Sequence, residues 1–154
     1  MLKCGWTHCS CGWTIFDNQK KVKVGKRWYH EECAKERDTI QSIITKFIEN
    51  VNDTVDVVVL RKVINEIIYN DDNPRPAEYV MYALDYAIAH PEMKLTFAQG
   101  MYRICDNRDV LKSWCQKVAD ERVGSHTIQL QTVEQPQTEH NVTAKKRLVS
   151  DLFD

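Results

Sequence analysis

The sequence predicts a mainly α-helical protein that carries a zinc-bound β-hairpin module at its N-terminus and a flexible tail at its C-terminus. Three observations lead to this class. Cysteine and histidine are concentrated in the first 33 residues, apolar residues then recur at helical spacing as far as about residue 122, and the composition becomes polar from residue 125. We therefore expect a zinc-binding module over residues 1–38, a bundle of about five helices over residues 39–124 and a tail over residues 125–154.

The pair His30-x-x-Cys33 has the spacing of half a tetrahedral zinc site. Structural zinc usually takes four Cys or His ligands, which the chain supplies as two close pairs. In the first pair Cys11 is favoured, because Gly12 behind it lets backbone amides fold towards the thiolate. The partner of Cys11 is left open among three residues, ranked Cys9, then Cys4, then His8. The prediction is one Zn²⁺ held by Cys9, Cys11, His30 and Cys33, with Cys4 or His8 as alternatives to Cys9.

Between the two ligand pairs the sequence predicts a small hairpin. Residues 13–16 form one apolar stretch, and residues 20–25 alternate basic and apolar positions, as a half-buried strand does. Asp17 and Asn18 between them are typical of a turn. The chain is then expected to enter a helix at the second ligand pair.

Helical periodicity defines the first two helices of the bundle. One apolar stripe extends the first helix from Cys33 to about Asn50, and it consists of Ile40, Ile43, Ile44, Phe47, Ile48 and Val51. Residues 52–54 break this helix and offer an N-cap for the second. The apolar run over residues 57–60 is assigned to the second helix rather than to a strand, because the spacing persists through Ile68.

Three further helices are predicted in order. The third covers residues 76–90 and begins with a proline, which the first turn of a helix tolerates. The fourth covers residues 96–105 with Gly100 in its interior, where glycine costs about 1 kcal/mol relative to alanine and indicates close packing. The fifth covers residues 109–122, and Gly124 is well placed to end it.

Residues 11–33 resemble half of a LIM-type, treble-clef-like zinc module. The shared pattern is Cys11-Gly12-x-x-Ile15, a hairpin, Gly25-Lys26-x-Trp28 and His30-x-x-Cys33. The segment also looks like the N-terminal zinc modules of small proteins from phages and mobile elements of Gram-positive bacteria. Those proteins show a Leu-x-Tyr pair and a later glycine-led apolar run, which here are Leu84 with Tyr86 and residues 100–104. The resemblance implies a host-takeover factor, a replication accessory protein or an inhibitor of bacterial defence in the bacterial cytoplasm.

The composition is typical of a small globular protein whose cysteines are reduced. The net charge is −1, 28% of residues are charged, and no apolar run approaches the ~20 residues of a membrane span. The N-terminus has no apolar signal region, so a cytoplasmic location with reduced thiols is expected. The two remaining cysteines, Cys105 and Cys115, lie on a helical pattern and are predicted to be core thiols.

The last residues form a compact apolar and acidic patch after a polar stretch. We predict that Leu148, Leu152 and Phe153 bind a partner as a short linear motif. Asp151-Leu152-Phe153 resembles the end of the bacterial sliding-clamp binding pentapeptide, although Val149 and Ser150 depart from its first two positions.

The sequence favours one of three classes of function. Enzyme activity is not expected, because the chain has no phosphate-binding glycine loop, no nucleophile motif and no zinc-deaminase signature. The preferred class is a non-enzymatic zinc-binding adaptor or inhibitor that binds a host or replication protein. The alternative is a nucleic-acid-binding zinc protein, whose phosphate contacts would come from Lys20, Lys21, Lys23, Lys26 and Arg27.

Overall fold

A computed structural model describes residues 1–131 of the chain. The chain divides between Gln116 and Lys117 into two compact units. The N-terminal strands and the first four helices all lie in the first unit. The domain limits expected from the sequence, at residues 38 and 124, stay predictions.

Four short strands form two hairpins at the N-terminus. They are β1 (Leu2–Lys3), β2 (Thr14–Ile15), β3 (Lys21–Val24) and β4 (Arg27–His30). Strand β1 pairs antiparallel with β2, and β3 pairs antiparallel with β4. An isolated bridge from Cys4 to Trp28 joins the first hairpin to the second.

The predicted hairpin of residues 13–16 with residues 20–25 is wrong in its pairing. Residues 14–15 pair with β1, and β3 turns back at once into β4 through Gly25 and Lys26. Gly25 has a φ of 60°, which suits the first central position of a two-residue hairpin loop. This loop closes with fewer residues than the predicted one, and it pairs Val22 with Tyr29 across the hairpin.

Five α-helices and one 3₁₀ turn follow within the described residues. They are α1 (Glu31–Asn50), α2 (Val57–Ile68), α3 (Ala77–Ala89), the 3₁₀ turn (Pro91–Met93), α4 (Gly100–Cys105) and α5 (Arg108–Gln131). The predicted mainly α class is thus confirmed, as is the assignment of residues 57–60 to a helix. Among these residues no helix combines the length and apolarity needed to cross a membrane.

Helix α2 starts later than predicted because a different residue caps it. The Oδ1 atom of Asp56 accepts hydrogen bonds from the backbone amides of Val58 and Val59, at 2.8 and 3.3 Å. Asn52, in the predicted cap segment, instead accepts from the Thr54 amide and closes a local turn. The sequence offered several candidate caps, and only the one aligned with the first free amides of the helix is used.

Two predicted helix ends are also wrong, and both errors concern glycine. Helix α4 begins at Gly100 rather than at residue 96, so this glycine lies in the first turn. A Cβ there would lie 2.7 Å from Leu95 Cδ1. The close packing predicted at Gly100 is therefore present, but the neighbour is the side chain of a loop residue. Gly124 does not end α5, because a single helical glycine costs only about 1 kcal/mol, and the helix continues to Gln131.

The core of the first unit lies between α1, α2, α3 and α4. Phe47, Leu60, Tyr79 and Met101 are fully buried there. The Tyr79 hydroxyl donates a hydrogen bond of 2.7 Å to the Cys105 carbonyl, which satisfies both polar groups. Cys105 is a core thiol as predicted, but Cys115 is exposed, so the helical pattern placed it on the wrong face.

Candidate metal centre

Four side chains from separate parts of the N-terminal region converge on one point. Cys4 follows β1, Cys9 lies in the loop before β2, His30 ends β4, and Cys33 lies in the first turn of α1. Their ligand atoms all lie within 4.8 Å of one another. The three soft thiols and one imidazole are a donor set that structural zinc sites use.

The spacing of these atoms fits a tetrahedral metal ion. Zn–S and Zn–N bond lengths imply edges of about 3.8 Å between two sulfurs and about 3.6 Å between sulfur and nitrogen. The Sγ atoms of Cys33 and Cys9 lie 3.6 Å apart. The Nδ1 atom of His30 lies 3.5 Å from Cys9 Sγ and 3.8 Å from Cys33 Sγ. The atoms of Cys9, His30 and Cys33 are therefore spaced as a tetrahedral zinc ion requires, and Cys4 Sγ lies within 4.8 Å of each of them.

Backbone geometry explains how His30 and Cys33 come to face the same point. His30 occupies the N-cap position of α1 in an extended conformation, and its side chain makes no capping hydrogen bond. Cys33, three residues later, lies on the same side of the first helical turn. The imidazole is thus free to direct Nδ1 towards the thiols. Its Nε2 is buried without a hydrogen-bond partner among the described residues.

The thiols differ in their affinity for protons. Burial raises the pKa of Cys4, but hydrogen bonds from the Trp6 and His30 backbones outweigh this effect and bring the pKa down to about 7. Burial raises the pKa of Cys9 and of Cys33, and the neighbouring thiols add to the shift at Cys33. A bound dication would lower the pKa of all three cysteines, because it favours the three thiolates together.

Short-range packing holds the site against α1. The Trp6 indole N–H donates a hydrogen bond of 2.8 Å to Glu36 Oε2. A small core of Ile15, Tyr29 and Ala34 surrounds the ligands Cys4 and Cys33. Gly5 lets the chain pass tightly over Arg27 and Tyr29, since a Cβ would meet their side chains at 3.0 to 3.1 Å. These contacts fix the ligand positions in addition to any metal.

The two other ligand candidates lie differently. Cys11 Sγ is 3.9 Å from Cys33 Sγ, but Cys11 is exposed and stands outside the group of four mutually close atoms. His8 is exposed and stacks on Tyr69 with a centroid distance of 3.9 Å. The structure thus brings Cys4 into the position for which the sequence favoured Cys11. Gly5 after Cys4 was the local signal for it, and the full ligand set stays a prediction.

The predicted phosphate-binding residues line the second hairpin and the turns beside it. Lys20, Lys23, Lys26 and Arg27 are exposed, whereas Lys21 is half-buried and lies 3.5 Å from Asp17. Lys23 lies over the Trp28 ring at 5.8 Å. The tail residues predicted to bind a partner, Leu148, Leu152 and Phe153, lie outside the described residues.

Comparison of the chain with protein-family models, with curated proteins and with solved structures gave no match. Its function must therefore be argued from the chemistry of its own residues.

Proposed function

We propose that this protein is a non-enzymatic, zinc-stabilised module that binds another protein, as an adaptor or inhibitor does. The metal is proposed to be structural zinc. Three thiolates and one imidazole fill the four positions of a tetrahedral ion, which leaves no open position for water or substrate. In this proposal the metal fixes the N-terminal fold, and a neighbouring surface does the binding.

The observation that carries the proposal is an apolar groove on α2, which we call the α2 groove. Its volume is about 440 Å³, and its lining consists of His8, Val58, Arg61, Lys62, Asn65, Glu66 and Tyr69. Val58 is 77% exposed, and the stacked rings of His8 and Tyr69 form a flat wall. An exposed aliphatic side chain beside an aromatic wall is a typical seat for an apolar anchor residue.

Charge at the α2 groove indicates the chemistry of its occupant. Arg61 and Lys62 line it against one carboxylate, Glu66, which lies 3.7 Å from Lys62. The excess of positive charge favours a peptide segment that carries an apolar anchor flanked by acidic residues. Because His8 belongs to the metal module, loss of zinc would also disturb this surface.

The resemblance to phage and mobile-element proteins extends the proposal to the identity of the partner. On that resemblance, the partner belongs to bacterial replication, transcription or defence machinery, and the protein works in the host cytoplasm. The C-terminal residues Leu148, Leu152 and Phe153 are proposed as a second contact, with a sliding clamp as the first partner to test.

Selection from a random peptide library on the zinc-loaded protein tests the α2 groove. We expect the selected peptides to share an aliphatic or aromatic anchor flanked by Asp or Glu, and to lose binding to Val58→Glu. Val22→Glu is the control, because Val22 is another exposed valine, at 39%, and it lies on β3 outside the lining of the α2 groove. A basic consensus, or peptides that bind Val58→Glu as well as the wild type, would reject the proposal.

A second candidate function, nucleic-acid binding, has its own supporting observation. Trp13 and Phe16 are 59% and 52% exposed, although aromatic residues that only surround a zinc ion would be buried. Together with Lys20 and Lys23 they could stack on bases and contact phosphates. Single-stranded DNA binding that weakens steeply with salt, and that the triple change of Lys21, Lys23 and Arg27 to Glu abolishes, would favour this candidate.

A further inference from the structure

The thiol of Cys11 stands beside the candidate metal centre without belonging to its four ligands. Its Sγ lies 3.9 Å from Cys33 Sγ, and Cys33 is itself buried. Both residues line a cleft of about 240 Å³ between the metal module and the start of α3. A tetrahedral zinc ion uses four ligands, so Cys11 is a fifth soft ligand at the edge of a complete set.

From this arrangement we infer that Cys11 is an oxidation site, at which hydrogen peroxide forms a Cys11–Cys33 disulfide and displaces the metal. This inference rests on the zinc site proposed above. The cleft is several times the ~30 Å³ that one water occupies in the liquid, so a small peroxide can enter it. Cys11 is exposed, whereas Cys4 and Cys33 are buried and Cys9 is half-buried, so such an oxidant reaches Cys11 before any cysteine of the metal centre.

The backbone around Cys11 permits the required movement. A disulfide has an S–S distance of about 2.0 Å, so the two sulfurs must approach by roughly 1.9 Å. Gly12 follows Cys11 with a φ of 86°, and a Cβ there would meet nothing within 4 Å. The loop can therefore carry Cys11 inwards while Cys33 stays fixed in the first turn of α1.

The chemistry proceeds in two steps. The Cys11 thiolate attacks one oxygen of hydrogen peroxide, the O–O bond breaks, and Cys11 becomes a sulfenic acid while hydroxide leaves. The Cys33 thiolate then attacks the Cys11 sulfur, the S–S bond forms, the S–O bond breaks, and a second hydroxide leaves. Two protons convert the hydroxides to water, so the sulfurs lose two electrons and peroxide gains them.

The metal is lost in the second step because Cys33 can no longer donate its thiolate. Cys4, Cys9 and His30 remain, and three ligands hold structural zinc far more weakly than four. Oxidation of one exposed thiol would thus remove the zinc that fixes the N-terminal fold. A thiol reductant together with free zinc would restore the site.

The test adds hydrogen peroxide to the zinc-loaded full chain and follows zinc release with a chromogenic chelator. Peptide mapping by mass spectrometry then identifies the disulfide. We expect the wild type to release zinc with formation of the Cys11–Cys33 bond. Cys11→Ser should carry zinc before oxidation. It should then release zinc at about one tenth of the wild-type rate or more slowly still, because the accessible thiol is gone.

Cys115→Ser is the matched control, since Cys115 is also exposed but lies on α5. It should release zinc at the wild-type rate. Release from Cys11→Ser at the wild-type rate, or a disulfide between other cysteines, would overturn the inference. Zinc missing from unoxidised Cys11→Ser would make Cys11 a ligand and overturn it too. Zinc missing from the wild type would instead remove the proposed zinc site.

Discussion

The two parts of the first unit are stabilised in different ways. The helical part buries a cluster of twenty residues, whereas the cluster around the candidate metal centre has five, and two of those are Cys4 and Cys33. Segments below about 40 residues rarely bury enough apolar surface to fold without a metal or disulfides. The comparison indicates that the helical part depends on apolar burial, and we expect the N-terminal module to depend on a bound metal.

Removal of one thiol ligand should separate the two parts most clearly. Cys33→Ser should abolish zinc binding and unfold residues 1–30, because the free energy of binding a structural metal is free energy of folding. The helical core should persist. Zinc analysis and residue-resolved hydrogen exchange measure the two effects, and Cys115→Ser is the control. Cooperative loss of protection in α2 and α3 as well would contradict the comparison.

A pair of serine variants resolves the choice between the two candidate ligands. Cys4→Ser should lower the zinc affinity strongly, since Cys4 lies within 4.8 Å of the other three ligand atoms. Cys11→Ser should leave it close to the wild-type value. Competition with a chelator of known affinity measures both. The reverse order would assign the fourth position to Cys11, as the sequence favoured.

Shortening a buried side chain of the helical core should lower the free energy of unfolding considerably without loss of the metal. Leu60 is fully buried on α2, and Leu60→Ala should lower the free energy of unfolding by about 2–5 kcal/mol. The zinc content of the folded protein should stay at the wild-type level. Chemical denaturation gives the first quantity and elemental analysis the second. Loss of zinc from still-folded protein would show that the two parts are coupled more tightly than we infer.

Loss of the α2 cap should have a smaller effect. Asp56→Ala removes the acceptor of the Val58 and Val59 amides and should lower the free energy of unfolding by about 1 kcal/mol. Asp56→Asn should recover most of the loss, because its amide oxygen can accept the same bonds. The denaturation midpoint reports both changes. Equal destabilisation by the two variants would indicate that charge, rather than capping, is responsible.

Alkylation of Cys105 and Cys115 tests the packing of the helical core without a destabilising substitution. Burial raises the pKa of Cys105 from 9.0 to about 12 in the folded protein. The thiol therefore stays protonated as the pH rises through 9, where an unfolded cysteine ionises. We expect Cys115 to be alkylated in the native protein, and Cys105 only after denaturation, at any pH below about 11. Rapid native labelling of Cys105 would show that α4 opens readily.

The sequence predicted the helical class well because the apolar stripe from Ile40 to Val51, like the stripes of the later helices, depends only on local periodicity. The pair His30 and Cys33 could be predicted for the same reason, since both lie at the start of one helix. The choice between Cys4 and Cys11 could not be predicted in this way, because it depends on the pairing of β1 with β2, a contact between residues distant in sequence. The hairpin error and the choice of Asp56 as cap arose where several equivalent turn signals competed within a few residues.

Helix α1 begins in the metal centre at Glu31 and ends in the helical core, with Phe47 fully buried. A cut at residue 38 would fall in the middle of this helix. The module is therefore poorly suited to transfer as a self-contained cassette, since a graft would have to include the receiving helix in register. Any ancestral exchange of this N-terminal module between proteins would have needed its junction beyond Asn50, where the chain first leaves the shared helix.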